Sequence, residues 1–336
     1  MLNYKPGVLA FCLAILVLSS CTRSPDCFHE DVFCAALVTD TLGINDHGIN
    51  QDTWAGLEGS KANGIVDQIA YIESIDLRDY EKNITYFAQN GYDLIVTRGV
   101  GMRDETFHAA DRYADSVFIG MYQLSEEARP NLLSITFAED RMGFFAGALA
   151  ARLTETHVVA AVCETSGIDS IWRYCEGFRA GALFINKELR VLVEYRDDGT
   201  QEKLFIDEAW GVGRAQYLIK RGADVIFAAG GATGQGALRA ASEAGIHAIG
   251  AERDQAAALG ESGPGVVTSV YGRAGFEVQA VIRLLKEGQS TELVLGQFGY
   301  VPLGDHFPES LKIEMDNLLP NLFSGYVQTN VPLQKP

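Results

Sequence analysis

The chain has 336 residues, of which 47% are hydrophobic and 21% charged, a balance that excludes disordered and collagen-like proteins. Its 44 acidic residues against 27 basic ones give a formal net charge of −17 at pH 7, so no nucleic acid partner is expected. The length suits two lobes of ordinary size, and 35 glycines against 9 prolines fit an α/β protein with many tight turns.

The amino terminus carries a short apolar segment. Residues 8–18 (VLAFCLAILVL) follow Lys5 and are too few to span a bilayer, but they suit the hydrophobic region of a signal peptide. The run ends in LSSC, which resembles the lipobox of bacterial lipoproteins. We predict that residues 1–20 are a lipoprotein signal peptide, that Cys21 is the lipidated first mature residue, and that 21–31 form a polar tether. An ordinary secretory signal and an uncleaved anchor are the alternatives.

Four further cysteines remain after Cys21. None has C-x-x-C spacing, so the sequence supports neither a zinc site nor a thioredoxin-like site. Cys34 and Cys163 lie within strand-like runs, and we expect them to be small buried core residues. Disulfides from Cys27 to Cys34 and from Cys163 to Cys175 are the less favoured alternatives, although an exported protein permits them.

From residue 32 onward, short apolar runs alternate with amphipathic stretches of helical length. The predicted strands of this first series are 33–39, 68–72, 93–97 and 116–121, and the predicted helices are 51–63, 80–89 and 104–114. Such alternation predicts a parallel sheet with helices on both faces.

A second series begins after residue 130. Its predicted strands are 132–137, 157–162, 190–195, 224–228 and 247–250, and its predicted helices are 142–153, 170–186, 208–220 and 235–244. A third, shorter series consists of the strand 266–270 and the helix 274–286. We expect an extended tail after the last helix. The sequence therefore predicts two doubly wound lobes, and we find no internal repeat that would indicate a solenoid.

Ligands of doubly wound sheets bind outside the carboxyl ends of the strands, so the loops there are the candidate site. They are residues 39–50 (TDTLGINDHGIN), 98–104 (RGVGMRD), 229–236 (AGGATGQG) and 252–255 (ERDQ). Their side chains are mainly carboxylates and amides, which accept hydrogen bonds and repel phosphate. We therefore expect a neutral or cationic polar solute and little positive charge around it.

No enzyme or cofactor motif accompanies these loops. The glycine-rich segment 230–236 follows a strand and opens a helix, but its order is not the dinucleotide fingerprint, and plain turn geometry explains it equally well. Neither a G-x-S-x-G elbow nor an H-E-x-x-H motif is present, so we predict no catalytic residue, no metal site and no cofactor. Trp54, Trp172 and Trp210 are candidates for stacking on a flat ligand, with a place in the core as the alternative.

Several segments resemble the basic membrane protein family, purine-nucleoside-receptor-like lipoproteins that serve ABC importers as solute-binding subunits. They include LVTDTLGINDHGINQDTWAGL, DYEKNITYFAQNGYDLIVTRG, ITFAEDRMGFFAGALAA, GFRAGA, GADVIFAAGGATGQGAL, AIGAERDQ and VTSV. These segments run in the family's order across residues 33–285.

The resemblance implies an α/β protein with the type I periplasmic-binding-protein fold, two lobes joined by a three-segment hinge that close on a ligand. We assign 32–131 and 268–290 to the first lobe, and 132–267 and 291–336 to the second. The chain would return between lobes near 130–138, 264–270 and 288–294.

The resemblance also implies ligand-binding residues. Asp40 and Asn50 match the polar contacts of the first loop, and Asp104 matches the acidic residue after the third strand. Gly231 matches the contact of the glycine loop, and Glu252 matches the acid that binds ribose. For Asp40, Asn50 and Asp104, helix capping is the alternative.

Three positions depart from the family's pattern. Ile49 stands where the family usually has a stacking Phe, and Glu252 is one methylene longer than the usual Asp. Gly272 stands where the family has a lysine, and the neighbouring Arg273 is a candidate substitute. These departures affect the nucleoside specificity more than the fold or the transport role.

We therefore predict an extracytoplasmic solute-binding lipoprotein of an ABC importer that binds a small polar solute, foremost a purine nucleoside, between the lobes. Its partners would be this ligand, an ABC permease and the cell membrane through the lipid anchor. One alternative is a ligand receptor for a membrane sensor. Another is a secreted α/β enzyme that acts on a nucleoside or sugar, which the missing catalytic motifs disfavour.

Overall fold

The computed structural model describes residues 25–125, 127–289 and 292–336. The elements before the first crossing are β1 (Cys34–Thr39), α1 (Ile49–Ala62), β2 (Gln68–Glu73), α2 (Tyr80–Gln89), β3 (Leu94–Arg98), α3 (Arg103–Arg112), β4 (Val117–Met121) and β5 (Leu132–Phe137). Then follow α4 (Glu139–Leu153), β6 (Val158–Cys163), α5 (Asp169–Ile185), β7 (Arg190–Tyr195), α6 (Glu208–Lys220), β8 (Val225–Ala229), α7 (Gly231–Glu243), β9 (His247–Ala251), α8 (Gln255–Leu259) and β10 (Val266–Gly272). The last elements are α9 (Ala274–Lys286), β11 (Leu293–Gly296), β12 (Phe298–Tyr300) and α10 (Glu309–Phe323).

These elements build two six-stranded sheets, one for each lobe. The first has the order β11-β5-β4-β3-β1-β2 and the second the order β12-β10-β9-β8-β6-β7. The pairs are parallel apart from the antiparallel pairing of β12 with β10. The predicted two-lobed α/β fold is confirmed.

The chain crosses between the lobes three times, but not where the sequence analysis drew the boundaries. Strand β5 pairs with β4 and so belongs to the first lobe, whereas the second lobe was expected to start at residue 132. Strand β10 pairs with β9 in the second lobe, although 268–290 was assigned to the first. Strand β11 pairs with β5 in the first lobe, although 291–336 was assigned to the second. The crossings therefore follow β5, β10 and β11, because strand pairing and not chain order decides lobe membership.

Helices α4 and α5 pack closely through glycines. A Cβ atom on Gly143 would lie 1.9 Å from the carbonyl oxygen of Tyr174, and one on Gly147 would lie 1.9 Å from that of Phe178. No side chain larger than hydrogen fits at these positions. This contact fixes α5 against α4, the helix that starts directly after the first crossing.

Both cysteine pairs form disulfides, so the expectation of unpaired core cysteines is wrong. Cys27 is bonded to Cys34 with Cα atoms 5.7 Å apart, and Cys163 is bonded to Cys175 with Cα atoms 6.5 Å apart. Cys34 and Cys163 are completely buried, as expected, and so is Cys175. The second bridge forms because α5 packs on the end of β6, a proximity that sequence spacing does not reveal.

The expected extended tail instead contains the helix α10. Met315 and Leu322 are its buried residues, and Glu314 pairs with Arg152 of α4 at 2.6 Å. The helix contains Pro320, a residue that usually ends or bends helices. Its core-facing residues Leu311, Met315, Leu318 and Leu322 recur at helical spacing, a pattern that the expectation of an extended tail overlooked.

Candidate ligand-binding site

The candidate site is a cavity of 390 Å³ between the two lobes. The first lobe lines it with the loops after β1 and β3, and the second lobe lines it with the start of α7 and the loop after β9. Both lobes therefore contribute the carboxyl ends of their strands, where doubly wound sheets bind ligands. The volume is in the range of small-molecule sites.

Asp40 and Arg98 form an ion pair at the first-lobe side of the cavity. Asp40 follows β1 and Arg98 ends β3, and the pairing of these strands brings the two side chains together. Burial lowers the pKa of Arg98, but the charges of Asp40, Glu252 and Asp46 raise it further than burial lowers it. Arg98 is therefore a permanent cation in the cavity.

Asn50 holds Asp40 in place and does not itself line the cavity. Its side chain is completely buried, and Nδ2 donates hydrogen bonds to Asp40 Oδ1 at 2.9 Å and to the Gly43 carbonyl at 3.0 Å. At the start of α1, where Gly48 is the N-cap residue, the carboxylate of Asp46 accepts from the backbone N–H groups of Gly48 and of Asn50. Asn50 thus positions a cavity carboxylate.

Gly231 and Glu252 line the second-lobe side of the cavity. Gly231 has φ 58°, and a Cβ there would lie 2.5 Å from the carbonyl oxygen of Phe205, so only glycine fits. The same carbonyl accepts the backbone N–H of Ala232 at 2.8 Å, which occupies one donor that a phosphate would need. Glu252 adopts φ 72°, a left-handed conformation that costs energy for a residue with a Cβ and is concentrated at functional sites.

Asp104 lies outside the cavity in this structure. It stands in the first turn of α3, its side chain is 78% exposed, and its carboxylate lies 3.8 Å from Arg103. The structure thus brings Asp40, Gly231 and Glu252 together around one cavity, with Asn50 directly behind Asp40 and Asp104 on the surface.

Four aromatic side chains line the cavity that sequence reasoning did not single out: Tyr80, Tyr122, Tyr174 and Phe205. Burial raises the pKa of Tyr80 to about 12 and raises the pKa values of Tyr122 and Tyr174 well above their ordinary range. These phenols are therefore neutral at physiological pH and can donate as well as accept hydrogen bonds. Tyr122 has φ 59° and Phe205 has φ 64°, so both share the left-handed conformation of Glu252.

The expected stacking residues and the expected lysine substitute are elsewhere. The described cavity lining includes none of Trp54, Trp172, Trp210, Ile49 and Arg273. Ile49 is 1% exposed in the first-lobe core, and the guanidinium of Arg273 lies over the ring of Phe276. The alternative, a place in the core, is met by Trp172, which is buried, while Trp54 and Trp210 are partly buried and pack against core residues.

Glu139 is a buried carboxylate at the cavity wall. Its Oε2 accepts hydrogen bonds from Nε and Nη2 of Arg173 at 3.0 and 2.7 Å, whereas its buried Oε1 has no partner among the described residues. Burial raises the pKa of Glu139, and Arg173 offsets part of that shift. The first residue of α4 thus places an acceptor beside the cavity, directly after the first crossing.

Two guanidinium groups, from Arg98 and Arg253, also line the cavity, so the expectation of little positive charge is wrong. Both residues lie in loops that the sequence analysis selected, but their direction could not be read from sequence. The lining carboxylates of Asp40, Asp46, Glu139 and Glu252 still outnumber them. A neutral ligand is therefore favoured over a phosphorylated one.

The two lobes contact each other beside the cavity. The backbone N–H of Asp254 donates to the carbonyl of His47 at 2.9 Å, and Arg253 Nη1 donates to the carbonyl of Asp46 at 3.0 Å. A Cβ atom on Gly48 would lie 2.6 Å from Cβ of Arg253, so the loops touch closely. We call these interactions of residues 46–48 with 252–254 the interlobe contact.

Within the described ranges, no group of three or more His, Cys, Asp or Glu side chains is arranged to hold a metal ion. Among the same residues, no helix has the length and apolar character needed to cross a bilayer. The residues that line the cavity supply hydrogen-bonding side chains, two arginines and aromatic rings.

Comparisons with known proteins agree with this geometry. The model of the Bmp family, described as ABC transporter substrate-binding protein PnrA-like, matches residues 33–294. The ABC transporter nucleoside-binding protein BmpA of Lactococcus lactis is 30% identical over 205 residues, which cover 60% of this chain and 56% of that protein. The CD4+ T-cell-stimulating antigen of Listeria monocytogenes is 30% identical over 234 residues, which cover 66% of this chain and 63% of that protein. The chain thus matches less than two thirds of either relative's length.

The structure of an ABC transporter solute-binding protein from Conexibacter woesei has the same fold. It superimposes with a TM-score of 0.72 at 21% identity, covering 90% of this chain and 100% of that one.

Proposed function

Since the chain belongs to the Bmp family of PnrA-like ABC transporter substrate-binding proteins, we propose that it binds a purine nucleoside in the interlobe cavity for an ABC importer. The observation that carries this proposal is the cavity itself, which combines carboxylates, neutral phenols and aromatic rings from both lobes. The proposed role is binding and delivery, without a catalytic step.

Glu252 is the proposed acceptor for the ribose hydroxyls. Its carboxylate lines the cavity, and its left-handed backbone is fixed by a hydrogen bond from its N–H to the Val270 carbonyl at 2.8 Å. Phe205 is the proposed stacking residue, because it lines the cavity and its backbone is tied to the start of α7. It would stack on the base, which the aliphatic side chain of Ile49 cannot do.

Calorimetric titration tests the assignment with guanosine, inosine, adenosine, cytidine and free ribose. Hydrogen bonds to a charged acceptor contribute about 1.5–3 kcal/mol each, so Glu252→Ala should weaken nucleoside binding about tenfold to several hundredfold. Asp104→Ala is the matched control, because it removes an exposed carboxylate outside the cavity and should leave affinity unchanged. Binding of an amino acid or a sugar phosphate in place of every nucleoside would contradict the nucleoside proposal.

The proposed location is the extracytoplasmic face of the membrane, with Cys21 as the acylated residue. Cys21 lies outside the described residues, so this proposal depends on the LSSC sequence. The two disulfides support it, because such bonds persist in oxidising compartments. Cys21→Ala should release the protein from the membrane fraction or block its processing, whereas a fully soluble wild-type protein with an unmodified amino terminus would refute the anchor.

A further inference from the structure

Arg98 presents an unused pair of hydrogen-bond donors at the cavity. Its Nη1 is bonded to Asp40, whereas its Nε is buried and has no partner among the described residues. Nη2 likewise makes no hydrogen bond to a described residue. Nε and Nη2 form one edge of the planar guanidinium, the edge that Arg173 uses to bind Glu139. The corresponding edge of Arg98 has no partner among the described residues, and Arg98 is one of the residues that line the cavity.

A guanidinium edge pairs best with two acceptors side by side. Carboxylates, phosphates and the O6/N7 edge of a 6-oxopurine all offer such a pair. The charges around Arg98 separate these candidates, because Asp40 already neutralises it and Asp46 and Glu252 add negative charge nearby. The excess of carboxylates would repel an anionic ligand, whereas a 6-oxopurine offers the same pair of acceptors without a charge.

We propose that Arg98 makes the site selective for 6-oxopurine nucleosides such as guanosine and inosine over the 6-aminopurine adenosine. This inference rests on the proposed nucleoside function and adds the residue that reads the base. Adenosine offers N7 as an acceptor, but its 6-amino group donates and would face a second donor of Arg98. This difference at position 6 of the purine is sufficient for the site to distinguish a 6-oxopurine from adenine.

The test begins with wild-type protein, titrated calorimetrically with guanosine, inosine, adenosine and 7-deazaguanosine. A bidentate pair predicts that guanosine and inosine bind roughly ten- to a hundredfold more tightly than adenosine. Because 7-deazaguanosine lacks the N7 acceptor, we expect it to bind about tenfold more weakly than guanosine. Equal affinity for guanosine and 7-deazaguanosine would overturn the proposal without any need for a variant.

Arg98→Lys then keeps the positive charge beside Asp40 but removes the planar donor edge. We expect the preference for guanosine over adenosine to fall to about twofold or less, with both nucleosides still bound. Arg103→Lys is the matched control, since its side chain is 40% exposed and outside the cavity. A preference that survives Arg98→Lys would overturn the role of Arg98.

Failure of the base preference is distinguishable from failure of the proposed function. If wild-type protein binds guanosine and adenosine equally, the nucleoside function stands and the role of Arg98 does not. If it binds no nucleoside but binds a carboxylate or phosphate compound through Arg98, both the nucleoside function and the charge argument are wrong.

Discussion

Gly48→Ala should weaken ligand binding by disturbing the closed arrangement of the lobes. The added Cβ would lie 2.6 Å from Cβ of Arg253, whereas carbon atoms in contact prefer about 3.5–4.0 Å. The loops must therefore separate by about 1 Å, at an overpacking cost of about 1–3 kcal/mol. Separation also weakens the two interlobe hydrogen bonds, made by Asp254 with His47 and by Arg253 with Asp46.

This overpacking cost destabilises the arrangement in which the two loops touch. Both lobes can contact a ligand only in that arrangement. An energy of 1–3 kcal/mol corresponds to a loss of about five- to 150-fold in affinity. Calorimetric titration with guanosine measures this loss. Small-angle scattering of the unliganded protein should show a larger radius of gyration for Gly48→Ala than for wild type.

Gly213→Ala is the matched control, because a Cβ at this position in α6 meets nothing within 4 Å. It should leave both affinity and scattering unchanged. Thermal unfolding of Gly48→Ala should stay close to wild type, since the new clash is between lobes and leaves the packing within each lobe intact. If Gly48→Ala has wild-type affinity and a wild-type scattering profile, the interlobe contact does not control closure.

Three further predictions concern stability. Replacing Cys163 and Cys175 by Ser should lower the free energy of unfolding by about 2–4 kcal/mol. In this double variant, reductant should cause no further loss of stability from the missing bridge. An unchanged melting temperature would mean that the bridge does not stabilise the fold. Gly147→Ala should cost about 3 kcal/mol in denaturant unfolding, because the new Cβ would lie 1.9 Å from the Phe178 carbonyl; a loss no larger than that of the Gly213→Ala control would refute the close helix packing. Burial raises the pKa of Asp224, but hydrogen bonds from hydroxyl and backbone donors just after α4 outweigh it and lower the pKa below 3.8. The stability difference between wild type and Asp224→Asn should therefore be present at neutral pH and disappear as the pH falls through this lowered pKa; a difference that persists in acid would refute the assignment.

The periodicity of the sequence determined the succession of elements. The strand at residues 132–137, the helix at 208–220 and the helix at 274–286 have the predicted bounds, because each has a strong local pattern and clear limits. Local patterns also located the loops that form the cavity. The helix α10 was missed although Leu311, Met315 and Leu322 have helical spacing, in a segment that also contains the helix-breaking residue Pro320.

Resemblance to family motifs placed Asp40, Gly231 and Glu252 at one cavity, but it could not place Asp104, which the structure leaves on the surface. Motif position records where a residue stands in the chain, and the direction of a side chain depends on the turn that carries it. The same limit applies to Arg98, whose position at the end of a strand was known while its pairing partner was not.

Tertiary structure alone decided the lobe boundaries, the disulfides and the charge of the site. Strand β5 joins the first sheet because of its pairing with β4, and a strand's neighbours are not encoded in its own periodicity. Cys163 and Cys175 are bonded because α5 packs on β6. Arg98 and Arg253 line the cavity from different lobes, so only the contact between the lobes brings these two residues into one site. Sequence periodicity is a property of neighbouring residues, whereas each of these features is a contact between segments far apart in the chain.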